Sequence, residues 1–146
     1  MIDSIKMLRF SCGLALLCGA LSSYAAFVND ARAQDMPNCA EPTTQSDMNS
    51  CAALDYEKAD KDLNKAYQQV RKKMVDWDKS ADDDSKGAVE ALVAAQRAWV
   101  EFRDANCEAS GFQARGGSME PMLVSSCLAD MSTKRAEELR ELSEGF

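Results

Sequence analysis

The chain has no histidine among its 146 residues. That absence removes the general base of Ser-His-Asp and Cys-His nucleophiles, and with it the commonest metal ligand. Proline and glycine are scarce, at three and seven residues. Beyond residue 33 the prolines stand only at 37, 42 and 121 and the glycines at 87, 111, 116, 117 and 145, so long stretches run without a helix breaker. There is no β-like alternation of useful length and no internal repeat. Past the first 33 residues nothing approaches the roughly 20 consecutive apolar residues of a membrane-spanning helix. Bases are outnumbered, 17 against 24 acids, for a net charge of -7. Nucleic acid and anionic lipid are poor partners for such a surface. A cationic protein suits it better, although acidity also serves solubility.

What is present begins with a leader. Met1 to Ala33 reads as a secretory signal peptide. Lys6 and Arg9 supply its positive start, Phe10 to Leu21 its apolar run, and Ala31-Arg32-Ala33 the small residues a signal peptidase requires. Ala25 offers an earlier cut. Cys18 follows Leu16 and Leu17, bulky where lipid attachment needs small residues. Residues 34–146 are then the expected domain, periplasmic or secreted. It is more acidic than the whole chain, because Lys6, Arg9 and Arg32 leave against only Asp3 and Asp30.

Four cysteines remain: Cys39, Cys51, Cys107 and Cys127. In an exported domain of this size they imply two disulfides. Without a CxxC pair or a histidine, zinc or another metal is not expected, and no cofactor is called for.

Helical spacing organises the rest. Pro42 stops anything earlier, and Thr44 with Asp47 resembles a capping box. Met48, Ala52, Tyr56, Ala59, Leu63, Tyr67, Val70 and Met74 then recur at steps of three and four to about Trp77. Asp82-Asp83-Asp84-Ser85 reads as a turn and the cap of a second helix, Ser85 to Ser110. In that helix Leu92, Ala95, Trp99, Phe102 and Ala105 share one face, with Gln96, Arg103 and Asn106 on or beside it. Gly111 and Gly116-Gly117 break the chain. Ser118 is the expected cap of a third helix through Leu123, Leu128, Met131, Leu139 and Leu142, with Pro121 in its first turn. The fold class is all-α, an antiparallel three-helix bundle stapled by two disulfides. All four cysteines fall at one pole, leaving the pole around residues 77–84 unstapled and expected to be looser. Depth along the axes favours Cys51 with Cys127 and Cys39 with Cys107, without excluding the other pairings.

Carboxylates are the remaining catalytic candidates, since glycoside hydrolysis needs only two. Asp55, Asp60 and Glu101 qualify by type, but helical carboxylates in a thin bundle have no cleft to work in, and no enzyme is expected. Asp60 and Asn64 are placed to meet Gln96 and Arg103 across the first two helices. The expected arrangement is an Asp60–Arg103 ion pair with Asn64 and Gln96 hydrogen-bonded nearby, a structural polar network that sets helix register. The loop from Gly111 to Pro121 is the expected binding surface. Gly116 and Gly117 would allow close backbone approach, and Ser118 and Glu120 would offer polar contacts to a basic cleft. The plainer alternative is that the glycines only turn the chain and Ser118 only caps a helix.

Five segments occur in an ordered set: MNSCA (48–52), ADKDLNKAY (59–67), LVAAQRAWVEFRDANC (92–107), GGSMEPM (116–122) and SCL…TKRAEEL (126–139). Together they resemble the LprI lysozyme-inhibitor family, specifically its small N-terminal cysteine-rich domain, over nearly all of the chain after the leader. The resemblance implies an exported protein that binds a cationic muramidase such as lysozyme and blocks it sterically. The alternative is a non-enzymatic envelope interaction or structural module with a different periplasmic partner.

Overall fold

The computed structural model describes residues 37–146. The expected signal peptide and its cleavage site lie outside the described residues. Three helices carry the fold: α1 (Gln45–Ser80), α2 (Ala88–Gly111) and α3 (Glu120–Glu144). Single 3-10 turns at Asp83–Ser85 and Phe112–Ala114 link them, and there is no strand among the described residues. No helix there is long and apolar enough to cross a membrane.

α1 starts as its sequence suggests. The Thr44 hydroxyl accepts the Asp47 N–H at 3.1 Å and the Asp47 carboxylate accepts the Thr44 N–H at 3.1 Å, which satisfies two of the helix's orphan donors. The helix then runs 36 residues, a rod of about 54 Å. Its three-four stripe is buried or half-buried from Met48 to Met74. α1 and α3 run parallel, with Asn49 near Ser118 at one end and Trp77 against Phe146 at the other. α2 descends antiparallel to both and packs more heavily on α3 than on α1.

The apolar core is not at the cysteine pole. Leu63, Ala66, Val70 and Met74 of α1 meet Leu92 of α2 and Ala136 and Leu139 of α3, with Tyr67, Val89 and Trp99 packed around them. These positions lie toward the end of α1 and the start of α2. The pole expected to be looser therefore holds the core, and the disulfides serve the opposite pole, where the buried apolar residues are the small Cys51, Ala52 and Cys107.

The disulfide pairing differs from the one depth favoured. Cys39 bonds Cys51 and Cys107 bonds Cys127, with Cα separations of 5.5 and 5.4 Å. Depth along an axis does not say which way a side chain faces. The strap before α1 folds back so that Cys39 reaches Cys51, while Cys107 points across the α2–α3 hairpin to Cys127. Each thiol finds the partner nearer in sequence, 12 and 20 residues away.

α2 is also rotated from the expected face. Leu92, Gln96, Trp99, Arg103 and Cys107 turn inward, whereas Ala95, Phe102 and Ala105 are exposed, Phe102 by 60%. Both stripes have helical spacing. The inward one is selected because Cys107 must face Cys127 and because the Arg103 guanidinium finds partners on α1 and α3. At the end of α2, Gly111 packs against α3 so closely that a Cβ there would meet Val124 Cγ2 at 2.5 Å.

Two expected caps are replaced. α2 begins at Ala88 rather than Ser85, with Gly87 as N-cap in the left-handed region at φ 115°. Its orphan donors are taken by Asp78 from the last turn of α1, whose carboxylate accepts the N–H groups of Gly87, Ala88 and Val89, each at 3.0 Å. These hydrogen bonds, led by Val89, hold the Asp78 pKa below its ordinary 3.8 against the opposing effect of burial. Asp83 and Asp84 instead form the exposed 3-10 turn with Ser85. Ser118 does not cap α3. The N-cap is Met119, without a side-chain hydrogen bond, and Pro121 occupies the first turn.

Asp78→Asn should lower the melting temperature by several degrees at neutral pH, because the amide offers one acceptor oxygen and no charge to the helix dipole. A depressed native pKa gives stability that is complete above the unfolded value and lost as pH falls through the native one. The gap between variant and wild type should therefore close as the solution is acidified below pH 3.8. A gap that stays constant into acid would remove Asp78 from the cap.

Candidate functional site

Two features stand out: a closed polar network between the helices and a braced loop at the disulfide pole.

The network centres on Arg103, only 6% exposed. Its Nη1 donates to Asp60 Oδ1 at 3.2 Å on α1 and to Ser132 Oγ at 3.3 Å on α3, and its Nε donates to Asp104 Oδ1 at 2.9 Å. The guanidinium lies over the Tyr56 ring at 5.5 Å and over the Trp99 ring at 5.3 Å. Burial by itself would lower the Arg103 pKa; the Asp104 hydrogen bond, Tyr56 and Asp60 overcome it and leave the group above its ordinary value. Burial raises the Tyr56 phenol, partly offset by Arg103.

The expected Asp60–Arg103 pair is thus present, but the expected Asn64–Gln96 bond is not made. Asn64 turns back on Asp60, donating to its Oδ2 at 2.9 Å. Gln96 accepts instead from Arg135 Nε on α3 at 3.2 Å. Arg135 also lies over Trp99, at 5.8 Å, so two guanidinium groups share one indole. Arg135, like Tyr56, Asp104 and Ser132, is not signalled by the sequence as part of the network; its place in KRAEEL gives no sign that it faces inward. No buried side-chain nitrogen or oxygen among the described residues lacks a partner. The fully buried polar atoms of the network are therefore all taken and leave nothing for a ligand.

The carboxylates weighed for catalysis are not brought together. Asp55 borders a groove between α1 and α3, Asp60 is held by Arg103, and Glu101 borders another groove between α1 and α2. No group of three or more acidic or thiol side chains suited to a metal occurs among the described residues.

The loop between α2 and α3 is built as a ring. Gly116 adopts φ 77°, and its N–H donates to Glu120 Oε2 at 2.7 Å, while Arg115 Nη1 donates to Glu120 Oε1 at 2.8 Å. Gly117 N–H closes on the Ala114 carbonyl at 2.8 Å. Asn49 of α1 donates to the Ser118 carbonyl at 3.0 Å, which ties the loop to the start of α1. The Gly116 N–H, opposed by burial and aided by Arg115, holds the Glu120 carboxylate below its ordinary 4.5. Cys107–Cys127 fixes the two helices at the base. Gly116, Gly117, Ser118 and Glu120 do share one loop, but Glu120 is turned inward to hold it. The groups the loop exposes include Phe112, at 57%, Arg115, Met119, Gly117 and Ser118. Arg115 stacks on Phe112, with its Cζ 4.5 Å from the ring centre.

Comparison with known proteins gives three matches. The family model described as lysozyme inhibitor LprI matches residues 37–139. An uncharacterized protein of Rhizobium meliloti (strain 1021) is 52% identical over 114 residues, which covers 76% of this chain and 82% of that protein. Among solved structures, the crystal structure of a DUF1311 family protein from Pseudomonas putida KT2440 is similar with a TM-score of 0.60 and 30% identity. That match covers 71% of this chain and 97% of the other.

Proposed function

Because the chain belongs to the LprI lysozyme-inhibitor family, we propose that it is an exported inhibitor which binds a cationic muramidase and obstructs its substrate cleft. Residues 1–33 are the cleaved leader in this reading, and residues 34–146 the inhibitor domain. Obstruction needs no cofactor and no chemistry on the inhibitor's part. The whole chain carries a net charge of -7, and the domain left once residues 1–33 are removed is more acidic still, which raises the encounter rate with a basic enzyme.

The contact surface in this reading is the loop from Phe112 to Met119, and its bracing is the observation that carries the assignment. The loop is held by a disulfide at its base, by the Glu120 carboxylate within, and by Asn49 from α1. A loop so constrained loses little further freedom on docking. It presents an exposed aromatic ring stacked on a guanidinium, the residue types that dominate binding energy at interfaces. Gly116 and Gly117 keep the tip narrow, and Ser118 offers a hydroxyl beside it.

The test is a turbidity assay on cell-wall suspensions with lysozyme as the cationic muramidase. The wild type should slow clearing. Phe112→Asp should weaken inhibition about thirtyfold, the size of an interface hot spot, while its melting temperature stays at the wild-type value. Phe112 is the better probe because Glu120 substitutions would release Gly116 and unmake the loop. Full inhibition by a folded Phe112→Asp would place the contact elsewhere, and a wild type that leaves lysozyme untouched would remove the inhibitory reading.

A further inference from the structure

α1 and α2 make the lightest contact of the helix pairs, and a groove of about 630 Å³ opens between them. Its floor is apolar, formed by Tyr67, Val93 and Val100. Tyr67 packs against the core behind it, so this floor has solid support. Arg71 from α1 and Arg97 from α2 border the groove. Neither makes an ion pair among the described residues, although the chain as a whole is acidic and most of the other arginines are paired. Two unpaired guanidinium groups facing one groove make a local site for an anion. Glu101 stands in the same groove and lowers its net charge to that of one cation, which suits a single carboxylate better than a polyanion.

Two amides refine the ligand. Gln96 accepts through Oε1 from Arg135, which leaves its Nε2 free to donate. Asn64 uses Nδ2 on the Asp60 carbonyl and carboxylate, which leaves its Oδ1 free to accept. Both residues line the groove. One donor and one acceptor beside an apolar floor match one peptide unit and one apolar side chain. The volume is within the usual range for small-ligand sites.

We infer that the α1–α2 groove binds the C-terminal end of a short peptide: Arg71 and Arg97 hold the free carboxylate, Gln96 and Asn64 the last peptide group, and Tyr67, Val93 and Val100 the terminal apolar side chain. This site is separate from the loop assigned to the muramidase, and its cationic character disfavours a basic enzyme there.

The probe is acetyl-Ala-Val as the free acid, with its C-terminal amide as control, titrated into isotope-labelled protein and followed by amide chemical shifts. The acid should bind in the millimolar range or tighter and move the signals of Val93, Gln96, Arg97 and Val100. The amide form should bind about tenfold more weakly, as should Arg71→Gln and Arg97→Gln with the acid, each having lost a charge-assisted hydrogen bond. Phe112→Asp should bind the acid as the wild type does, whatever its effect on lysozyme. Equal binding of acid and amide overturns the proposal. So do wild-type affinities in both arginine variants, or shifts absent at millimolar acid.

Discussion

Arg103→Ala should cost the bundle about 3 kcal/mol, at the low end for removing one member of a buried charged pair. The low end applies because the partners are less buried than the arginine: the Asp60 and Asp104 side chains are 38% and 57% exposed, and water can take over part of what the guanidinium supplied. The remaining loss is packing. The guanidinium fills the space between Tyr56 and Trp99 and reaches Ser132, which is fully buried. Arg103→Met, which keeps most of the volume without the charge, should lose less than the alanine variant. Arg97→Ala on the exposed face should stay within about 0.5 kcal/mol of wild type. Urea melts read all three. Equal losses for Arg103→Ala and Arg97→Ala would deny Arg103 its place between the helices.

Removing Cys107–Cys127 through a double serine variant should cost about 3 kcal/mol, from the freedom restored to the unfolded chain by opening a 20-residue loop. The damage should centre on the α2–α3 hairpin and the loop it supports, so under the proposed function inhibition should fall with stability. Removing Cys39–Cys51 opens a 12-residue loop and costs a similar amount, but it frees only the strap before α1. The pairing itself can be read from an unreduced tryptic digest. Cys39 and Cys51 share one peptide, because no lysine or arginine stands between them. Peptides 104–115 and 116–134 should be found joined. The peptide that carries both Cys39 and Cys51, if joined to 104–115 and 116–134, would instead show a crossed pairing between the strap or α1 and the hairpin.

The three helices, the Thr44 box and the inward stripe of α1 were legible because each is local. A periodic stripe from Met48 to Met74 has no competing face, and a cap and its donors lie within one turn. α2 was misread because it carries two stripes of equal spacing. Ala95, Phe102 and Ala105 look as much like a core face as Leu92, Trp99 and Cys107 do. The choice falls to a disulfide and a guanidinium whose partners lie on other helices. The Asp78 cap was missed for the same reason: the carboxylate serves donors on a different helix. In the candidate loop, the glycine pair marked the turn and its position at the stapled pole. The role of Glu120 was not legible, because its bonds to Gly116 and Arg115 exist only once Gly116 takes a positive φ.

Both disulfides close loops within a neighbourhood: one binds the strap to α1, the other α2 to α3. Among the described residues, the segment between Ser80 and Ala88 is therefore the sole covalent thread joining α1 to the hairpin, and it is largely exposed. A protease that cuts there would produce two separate molecules rather than a nicked one, held together only by non-covalent contacts, chiefly the core around Leu63, Val70, Leu92 and Leu139 and the Asp60–Arg103 pair. Its melting temperature would then rise with protein concentration, as for any two-component complex, and dilution alone would dismantle a protein whose staples were all intact.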